Sequence, residues 1–216
     1  IPGISSLIKK KIKSGLGLQN ASNVFTGAAP TPVSVLKWFK KLGIEIQEAY
    51  AMTENCCYSH VTLNDQIKFG FVGKALPNCE VKLSDNKEIL IKHIALMDGY
   101  YKEEKLTNET IKDGWLYTGD EGFIDQQGFL KITGRVKDLF KTSKAKYVAP
   151  APIEMKLSAN KNIEQVCVVG SGLPQPMALV TISEYGKAKD NKSLELSLKK
   201  TMEIVNAKFE QHEHLR

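Results

Sequence analysis

The sequence predicts an α/β fold with a β-rich central region, and three patterns of apolar residues support this. In residues 1–60, helical spacing and strand-like alternation of apolar residues follow one another. Residues 69–134 contain short alternating segments separated by turn-forming clusters such as Ser84-Asp85-Asn86, which is typical of antiparallel strands. From Gly134 onward, helical and strand patterns are mixed again. We therefore expect three consecutive regions, the middle one built mainly from antiparallel strands.

The first region is predicted to contain two helices and two strands. A basic amphipathic stretch over Ser5–Lys13 forms the first helix. The second helix opens at Thr31-Pro32, because proline suits a first helical turn, and ends at Gly43. Its apolar stripe consists of Val33, Leu36, Phe39 and Leu42. The predicted strands are Val24–Phe25 and Ile44–Ala49.

Short alternating segments supply the strands of the other two regions. In the middle region they are Glu80–Leu83, Glu88–Lys92, Trp115–Tyr117, Gly122–Ile124 and Phe129–Thr133. After Gly134 the predicted strands are Leu139–Thr142, Gln165–Val169 and Leu179–Ser183, and the predicted helices are Pro152–Ala159 and Leu194–Glu210.

The composition is that of a globular protein suited to an anionic ligand. The 216 residues are 42% hydrophobic and 25% charged, with a formal net charge of +6. All but two of the 30 basic residues are lysines, which are scattered along the chain. Because nucleic-acid readers rely on arginine for bidentate base contacts, we do not expect a nucleic-acid partner. The same scarcity singles out Arg135, where the chain uses arginine.

Cysteine usage and hydropathy indicate a cytoplasmic protein. The four cysteines form no C-x-x-C pair, so neither a disulfide scaffold nor a zinc ribbon is expected. No apolar run approaches the ~18 residues of a membrane span. The basic cluster of Lys9–Lys11 and Lys13 is interpreted as a solvated helix face in preference to a phosphate or membrane contact. A peripheral contact with a membrane surface stays open as an alternative.

Three familiar binding motifs are absent or misleading. The chain contains no G-x-x-x-x-G-K-[ST] phosphate loop. Val168–Gly172 resembles the start of a dinucleotide fingerprint, but the prolines in the following Leu173–Pro176 are incompatible with a pyrophosphate-binding helix. His212 and His214 are two positions apart and do not share a helix face, so we interpret them as part of a solvated tail.

Four segments carry a more specific signal through their residue types, order and separation. They are Gly27–Pro30, Tyr50–Glu54, Asp113–Asp120, and Gly134–Asp138 leading to Val148–Glu154. In this order they resemble the adenylate-forming enzymes, which comprise acyl-CoA synthetases, luciferases and peptide-synthetase adenylation domains. The segment Thr142–Glu154 is most similar to the long-chain acyl-CoA synthetase branch. The resemblance extends from about Ser14 to Glu213.

The resemblance implies a fold and a reaction. Residues 1–134 would form the end of a large AMP-binding domain, with an α/β portion and a small antiparallel barrel-like portion. Residues 135–216 would form most of a small α+β domain. The implied enzyme is an ATP-dependent acid–thiol ligase, which joins ATP and a fatty acid into an acyl-adenylate and then transfers the acyl group to CoA.

The resemblance also implies roles for individual residues in nucleotide binding. The Gly27–Pro30 turn would approach adenine with its backbone, and Tyr50 would stack on the base. Asp120 and Arg135 would hold the ribose hydroxyls, the arginine with a planar fork that lysine does not reproduce. The nucleotide-binding set is Gly27, Ala28, Ala29, Pro30, Tyr50, Thr53, Asp120, Ile132 and Arg135, in which Ile132 packs against the nucleoside and Thr53 meets the α-phosphate.

Catalysis and domain motion are assigned to a second group of residues. Thr53 and Glu54 would act at the phosphates, where Glu54 is the expected ligand of Mg²⁺. Lys137 would be the hinge about which the small domain rotates between the two half-reactions. Lys144 and Ala145 replace a Gly-Gly pair in a loop that lies beside the CoA tunnel in relatives. We expect this replacement to be unfavourable, because residues other than glycine adopt the positive φ needed there less readily.

Two parts of the family's catalytic machinery lie outside this sequence, namely an upstream phosphate loop and a downstream lysine. We therefore interpret the chain as a C-terminal-half fragment of a long-chain fatty acid–CoA ligase that is inactive alone. Two alternatives stay open. One is an adenylate-forming enzyme for an aryl or amino acid, and the other is a non-catalytic nucleotide-binding relative. The sequence makes no prediction of the oligomeric state.

Overall fold

A computed structural model describes residues 2–216, except for the side chains of residues 2–5 and 64. In that range the helices are α1 (Pro2–Gly15), α2 (Val33–Lys41), α3 (Glu104–Thr110), α4 (Pro150–Leu157), α5 (Glu184–Lys187) and α6 (Asn191–Asn206). The strands of the first two regions are β1 (Val24–Thr26), β2 (Ile46–Tyr50), β3 (His60–Val61), β4 (Lys74–Ala75), β5 (Glu80–Leu83), β6 (Glu88–Lys92), β7 (Ile111–Lys112), β8 (Trp115–Ile124) and β9 (Leu130–Arg135). The last region adds β10 (Phe140–Lys141), β11 (Tyr147–Val148), β12 (Ile163–Val169) and β13 (Met177–Ile182).

The first sheet joins a strand–helix–strand unit to two short antiparallel strands. Strands β1 and β2 pair in parallel, and α2 makes the crossover that parallel neighbours require. Leu36 is the buried anchor of the α2 stripe, and Gly43 leaves the helix with φ of +76°. Strands β3 and β4 extend the sheet beyond β2 in antiparallel pairing. Both parallel strands therefore end at the same edge, where Thr26 and Tyr50 lie.

The second sheet is antiparallel and centred on β8, which pairs with β6, β7 and β9. The prediction of separate strands at Trp115–Tyr117 and Gly122–Ile124 is wrong, because both segments belong to the continuous strand β8. Gly119 adopts φ of +74° within it, and the β8–β9 register shifts between Glu121 and Gly122. Such irregularities interrupt the alternation of apolar and polar side chains, while the backbone stays paired with its neighbours. The sequence pattern therefore shows a break at a point where the strand is continuous.

Two backbone hydrogen bonds join the two sheets, between β9 and the residues that lead into β4. The Val72 amide donates to the Leu130 carbonyl at 2.8 Å, and the Leu130 amide donates to the Gly73 carbonyl at 2.9 Å. Leu130 also belongs to a fully buried cluster with Ile89 and Ile91. Tyr50 and Ile132 pack against this cluster, together with Val72, Cys79, Val81, Leu83, Leu96 and Ile124. The end of β2 is thereby fixed against the antiparallel sheet.

The last region has its own hydrophobic core. Strands β12 and β13 pair in antiparallel fashion, and helices α4 and α6 pack on them. The buried members of this core are Val148, Ile153, Leu157, Ile163, Val168, Val205 and Leu215. Helix α6 begins three residues earlier than predicted because the Asp190 carboxylate caps it, accepting the Ser193 amide at 2.9 Å.

The α/β class and the antiparallel middle region are confirmed. Strands β5 and β6 have the predicted bounds, whereas helices α3 and α5 and the two-residue strands β3, β4, β7 and β11 were not predicted. Such short pairings depend on neighbours rather than on local sequence. Within residues 2–216, every helix is too short or too polar to cross a bilayer.

Candidate functional site

Three predicted residues meet where the two sheets join. The Tyr50 hydroxyl donates to Oδ2 of Asp120 at 2.8 Å. Arg135 Nε lies 3.1 Å from the other carboxylate oxygen, Oδ1. We call Tyr50, Asp120 and Arg135 the Asp120 clamp. It joins residues that are 70 positions apart and combines an aromatic face, a carboxylate and a guanidinium in one place.

The backbone fixes each member of the clamp. Asp120 and Arg135 are opposite each other in the β8–β9 ladder, and Tyr50 is the last residue of β2. The Asp120 amide donates to the Thr118 hydroxyl oxygen at 3.1 Å, and that hydroxyl donates to the Ile89 carbonyl at 2.8 Å. These bonds link the clamp to the buried core of the sheet.

Burial dominates the electrostatics of the clamp. It raises the pKa of the Asp120 carboxyl above its usual 3.8, while the hydrogen bond from Tyr50 and the charge of Arg135 act in the opposite direction. Burial and the nearby Asp120 charge also raise the pKa of the Tyr50 hydroxyl, so Tyr50 stays a neutral donor. His60 packs 6.0 Å from the Tyr50 ring, and burial lowers its pKa to about 4. The surroundings of Tyr50 are therefore uncharged on the His60 side.

The clamp keeps capacity for a ligand. An ionised carboxylate has about four acceptor positions, of which the two protein contacts of Asp120 use two. The Asp120 side chain is 15% exposed and that of Arg135 is 62% exposed. A neutral ligand that presents hydroxyls can therefore donate to Asp120 and accept from the guanidinium.

A short 3₁₀ turn at Thr53–Asn55 follows β2 and carries Thr53 and Glu54. The buried Asn55 side chain closes the turn by accepting the Met52 amide through Oδ1 at 3.1 Å. The Tyr100 hydroxyl donates to Glu54 Oε1 at 2.8 Å, and the Met97 amide donates to the Glu54 carbonyl at 2.8 Å. Thr53 is exposed. The turn thus presents one free hydroxyl and one oriented carboxylate.

The Gly27–Pro30 turn lies beside the end of β2. A Cβ on Gly27 would come within 3.3 Å of the Ala49 carbonyl oxygen, so this position favours glycine. Ala28 adopts φ of +64°. The Thr26 and Thr31 hydroxyl oxygens are 2.8 Å apart and close the turn. The structure therefore brings this turn and Tyr50 to neighbouring strand ends, the edge at which ligands bind in α/β sheets.

Glu54 is the residue to test for a divalent cation. Among the described side chains, no group of three or more His, Cys, Asp or Glu residues is arranged to hold a metal. A dedicated protein cage is not required for Mg²⁺, which proteins often bind through one carboxylate, water and substrate phosphates. One oriented carboxylate beside an exposed threonine hydroxyl fits that kind of site.

The remaining predicted residues occupy other places. Ile132 packs against the same buried cluster as Tyr50. Lys137 is exposed in a 3₁₀ turn at Val136–Asp138, directly after β9. Lys144 and Ala145 lie on the turn of the β10–β11 hairpin, where Ala145 has φ of +59° and its amide donates to the Thr142 carbonyl at 3.0 Å. An alanine therefore occupies a left-handed position that favours glycine.

Sequence reasoning missed two residues that support the site. Tyr100 orients Glu54 from 46 positions away, and no local pattern predicts that contact. Thr118 links Asp120 to the core. Thr118 lies inside the Asp113–Asp120 segment, two positions before Asp120, but its role was not predicted.

The chain matches two family models, which together span most of its length. A family model described as AMP-binding enzyme matches residues 6–101, and one described as AMP-binding enzyme C-terminal domain matches residues 137–216. The chain is 35% identical over 176 residues to the long-chain-fatty-acid–CoA ligase FadD15 of Mycobacterium bovis. That match covers 82% of this chain and 29% of the relative. The chain thus spans about three tenths of that relative's length.

Solved structures show the same fold. The anthranilate CoA ligase AuaEII in complex with anthranoyl-AMP superposes with a TM-score of 0.80 at 20% identity, over 92% of this chain and 40% of that one. The o-succinylbenzoate CoA synthetase MenE of Bacillus subtilis, in complex with ATP and magnesium ion, gives 0.73 at 22% identity, over 95% and 45%. Since both family models and this fold agree over most of the chain, the chain belongs to the AMP-binding enzyme family.

Proposed function

We propose that the chain supplies the nucleoside and α-phosphate part of the active site of an AMP-forming acid–CoA ligase. The observation that carries the proposal is the Asp120 clamp, in which a partly buried carboxylate lies between Tyr50 and Arg135. A ribose presents two neighbouring hydroxyls, which match the free acceptor positions of Asp120 and the exposed fork of Arg135.

The other residues at this edge have complementary roles. The Tyr50 ring offers a flat apolar surface for adenine, and the backbone of Gly27, Ala28, Ala29 and Pro30 approaches the base. Ile132 packs below the nucleoside. The exposed Thr53 hydroxyl donates to an α-phosphate oxygen. Glu54 holds Mg²⁺, which when bound neutralises phosphate charge, and Tyr100 keeps the carboxylate oriented.

The last region serves the second half-reaction. Residues 1–134 and 135–216 act as two bodies, with Lys137 as the hinge. In the thioester-forming orientation, the β10–β11 hairpin faces CoA, and Lys144 contributes a cation to its phosphates. Within the described part of the chain, Lys141, Lys144 and Lys146 are all exposed on this hairpin, which supports an anionic partner there.

We propose a long-chain fatty acid as the acyl substrate. The support is the 35% identity to a long-chain-fatty-acid–CoA ligase over most of the chain. An aryl acid is the second candidate, because the structural neighbours AuaEII and MenE are ligases of anthranilate and o-succinylbenzoate. We propose a cytoplasmic location for the protein.

Nucleotide binding is tested on the 216-residue chain by calorimetry with AMP. Asp120→Ala removes hydrogen bonds to two hydroxyls, so the affinity is expected to fall by roughly 5–150-fold, equivalent to about 1–3 kcal/mol. Asp85→Ala, on the exposed turn between β5 and β6, is the matched control and leaves the affinity unchanged. Equal affinities for the wild type and Asp120→Ala would overturn the ribose assignment.

Substrate class is tested on the whole protein by pyrophosphate exchange with ATP and Mg²⁺. Palmitate is expected to support exchange well above the rate seen with o-succinylbenzoate or anthranilate. A higher rate with an aryl acid would select the second candidate. Exchange with none of these acids, together with intact AMP binding, would favour a non-catalytic nucleotide-binding relative.

A further inference from the structure

Two adjacent cysteines, Cys56 and Cys57, directly follow the Thr53–Asn55 turn. Both thiols are free and exposed. Both residues have left-handed backbone conformations, with φ of 51° and 55°. Such conformations are uncommon for residues other than glycine, and two in succession mark a strained segment. Nucleotide binding as proposed above uses neither thiol.

The backbone of this cysteine pair helps to close the turn that carries Glu54. The Cys56 amide donates to the Thr53 carbonyl at 3.0 Å, and the Cys57 amide donates to the Met52 carbonyl at 3.0 Å. The next amide, that of Tyr58, donates to the Asn55 carbonyl at 2.9 Å. A change of backbone conformation at Cys56–Cys57 therefore breaks bonds that hold Thr53 and Glu54 in place.

A disulfide between neighbouring residues requires such a change. Consecutive Cα atoms are about 3.8 Å apart across a trans peptide, whereas disulfide-linked Cα atoms are usually about 4.4–6.8 Å apart. Closing the bond therefore distorts the local backbone. Strained and exposed disulfides are also the ones that thiols reduce readily, so the bond would be reversible.

We propose that Cys56 and Cys57 form a reversible dithiol–disulfide site that takes a peroxide as its oxidant and opens the Thr53–Asn55 turn when oxidised. One thiolate attacks a hydrogen peroxide oxygen and becomes a sulfenic acid, and the departing hydroxide leaves as water. The neighbouring thiol then attacks that sulfur, forms the S–S bond and displaces the second oxygen as water. Two thiols lose two electrons, and one peroxide becomes two water molecules. A dithiol reductant reverses the reaction.

The first test maps the thiols of the 216-residue chain by mass spectrometry after treatment with hydrogen peroxide. The peptide that contains Cys56 and Cys57 is expected to lose about 2 Da, to resist alkylation and to recover with dithiothreitol. Cys167, an exposed thiol on β12, is the matched control; its peptide is expected to show no loss of about 2 Da, because no adjacent cysteine is present to convert a sulfenic acid into a disulfide. A sulfinic or sulfonic acid at either residue, or dimers linked through this pair, would overturn the proposal.

The second test compares amide hydrogen exchange in the reduced and the oxidised chain. Exchange at Cys56, Cys57 and Tyr58 is expected to rise by at least about fivefold on oxidation, because the three bonds that close the turn open. The double variant Cys56→Ser/Cys57→Ser is expected to show no response to peroxide. Neither mass spectrometry nor hydrogen exchange depends on nucleotide binding. The disulfide proposal can therefore hold even if the proposed function is wrong. Unchanged exchange in an oxidised wild type would remove the link between the thiols and the turn.

Discussion

Arg135 and Asp120 face each other across the β8–β9 ladder, with Arg135 Nε 3.1 Å from Asp120 Oδ1. Only one of the five guanidinium N–H groups is needed for this contact. Because the Arg135 side chain is mostly exposed, its other donors remain available to a ligand bound at the carboxylate. Arg135 thus neutralises the half-buried charge of Asp120. The pair also leaves guanidinium donors and carboxylate acceptors next to each other for a ligand.

Replacing Arg135 with lysine is expected to weaken AMP binding although the positive charge is kept. Lysine has no planar fork, so it does not reach Asp120 and a ribose hydroxyl in the same geometry. A loss of about 1 kcal/mol corresponds to roughly fivefold lower affinity, measured by calorimetry on the 216-residue chain. Arg216→Lys is the matched control, since Arg216 is exposed and is the only other arginine. An unchanged affinity in Arg135→Lys would show that charge alone matters.

The Asp120 carboxyl is expected to titrate above 3.8, with burial as the main cause. The hydrogen bond from Tyr50 and the charge of Arg135 both lower this pKa, so Tyr50→Phe and Arg135→Gln are each expected to raise it further. Carbon-13 chemical shifts of the carboxyl group measure the midpoint in all three proteins. A lower midpoint in either variant would contradict the assignment of these partners.

The raised pKa of Asp120 also sets the sign of its effect on stability. The folded chain binds this proton more tightly than the unfolded chain does, so the stabilisation is fully present below pH 3.8. It is lost as the pH rises through the raised folded-state value. The difference in unfolding free energy between Asp120→Asn and the wild type is therefore expected to shift in favour of the variant as the pH rises through that window. Urea unfolding at a series of pH values measures this difference.

The sequence predicted those parts of the fold that depend on local pattern. Strands β5 and β6 and helix α2 follow apolar periodicity and turn residues, so their positions could be read directly. The sequence predicted two strands in place of β8, because Gly119 and the irregular pairing near Gly122 interrupt the alternation of its side chains. Pairing with the three neighbouring strands keeps β8 continuous in the structure. Pairing is a tertiary property, and a one-dimensional pattern does not record it.

The candidate site was predictable in its residue types and not in its contacts. The spacing of four segments pointed to Tyr50, Asp120 and Arg135, which the structure brings together. The contact between Tyr100 and Glu54 depends on how the chain returns to the first sheet, so no local signal marked it. For Ala145 the sequence pointed to a position that needs positive φ, and its φ of +59° agrees.

Gly73 is expected to be essential for the junction between the two sheets. A Cβ there would overlap the Val61 carbonyl oxygen, which is backbone and has little freedom to move. Gly73→Ala is therefore expected to lower the unfolding free energy by more than about 2 kcal/mol. Gly128→Ala is the matched control, because Gly128 also has positive φ and a Cβ there would meet nothing within 4 Å. Gly128→Ala is expected to lower the free energy of unfolding, measured with urea, by only about 1–2 kcal/mol. Similar losses in both variants would mean that strain of φ, rather than contact, decides the cost.

Tyr100→Phe is expected to destabilise the chain by removing the donor that orients Glu54. A hydrogen bond to a charged group in a half-buried place contributes about 1 kcal/mol. Tyr101→Phe is the matched control, because Tyr101 is 86% exposed. Urea unfolding is expected to separate the two variants. The same free energy of unfolding in both would mean that the hydroxyl of Tyr100 contributes nothing to the turn.

The hinge proposal concerns Lys137, which is exposed in the 3₁₀ turn between β9 and the last region. Proline fixes φ near −65°, so Lys137→Pro is expected to hold the whole protein in one domain orientation. Lys137→Ala removes the same side chain and leaves the backbone free, which makes it the matched control. Single-turnover assays measure pyrophosphate release and, separately, transfer from pre-formed acyl-adenylate to CoA.

If the held orientation is the adenylating one, Lys137→Pro should keep pyrophosphate release within a few-fold and slow transfer to CoA by more than about tenfold, or ~1.4 kcal/mol on the barrier. Lys137→Ala should leave both rates near those of the wild type, since a hinge acts through its backbone. Equal loss of both steps in the proline variant would indicate general damage at the junction. Loss of transfer in the alanine variant as well would make the ammonium group, rather than rotation of the backbone, the functional feature of this position.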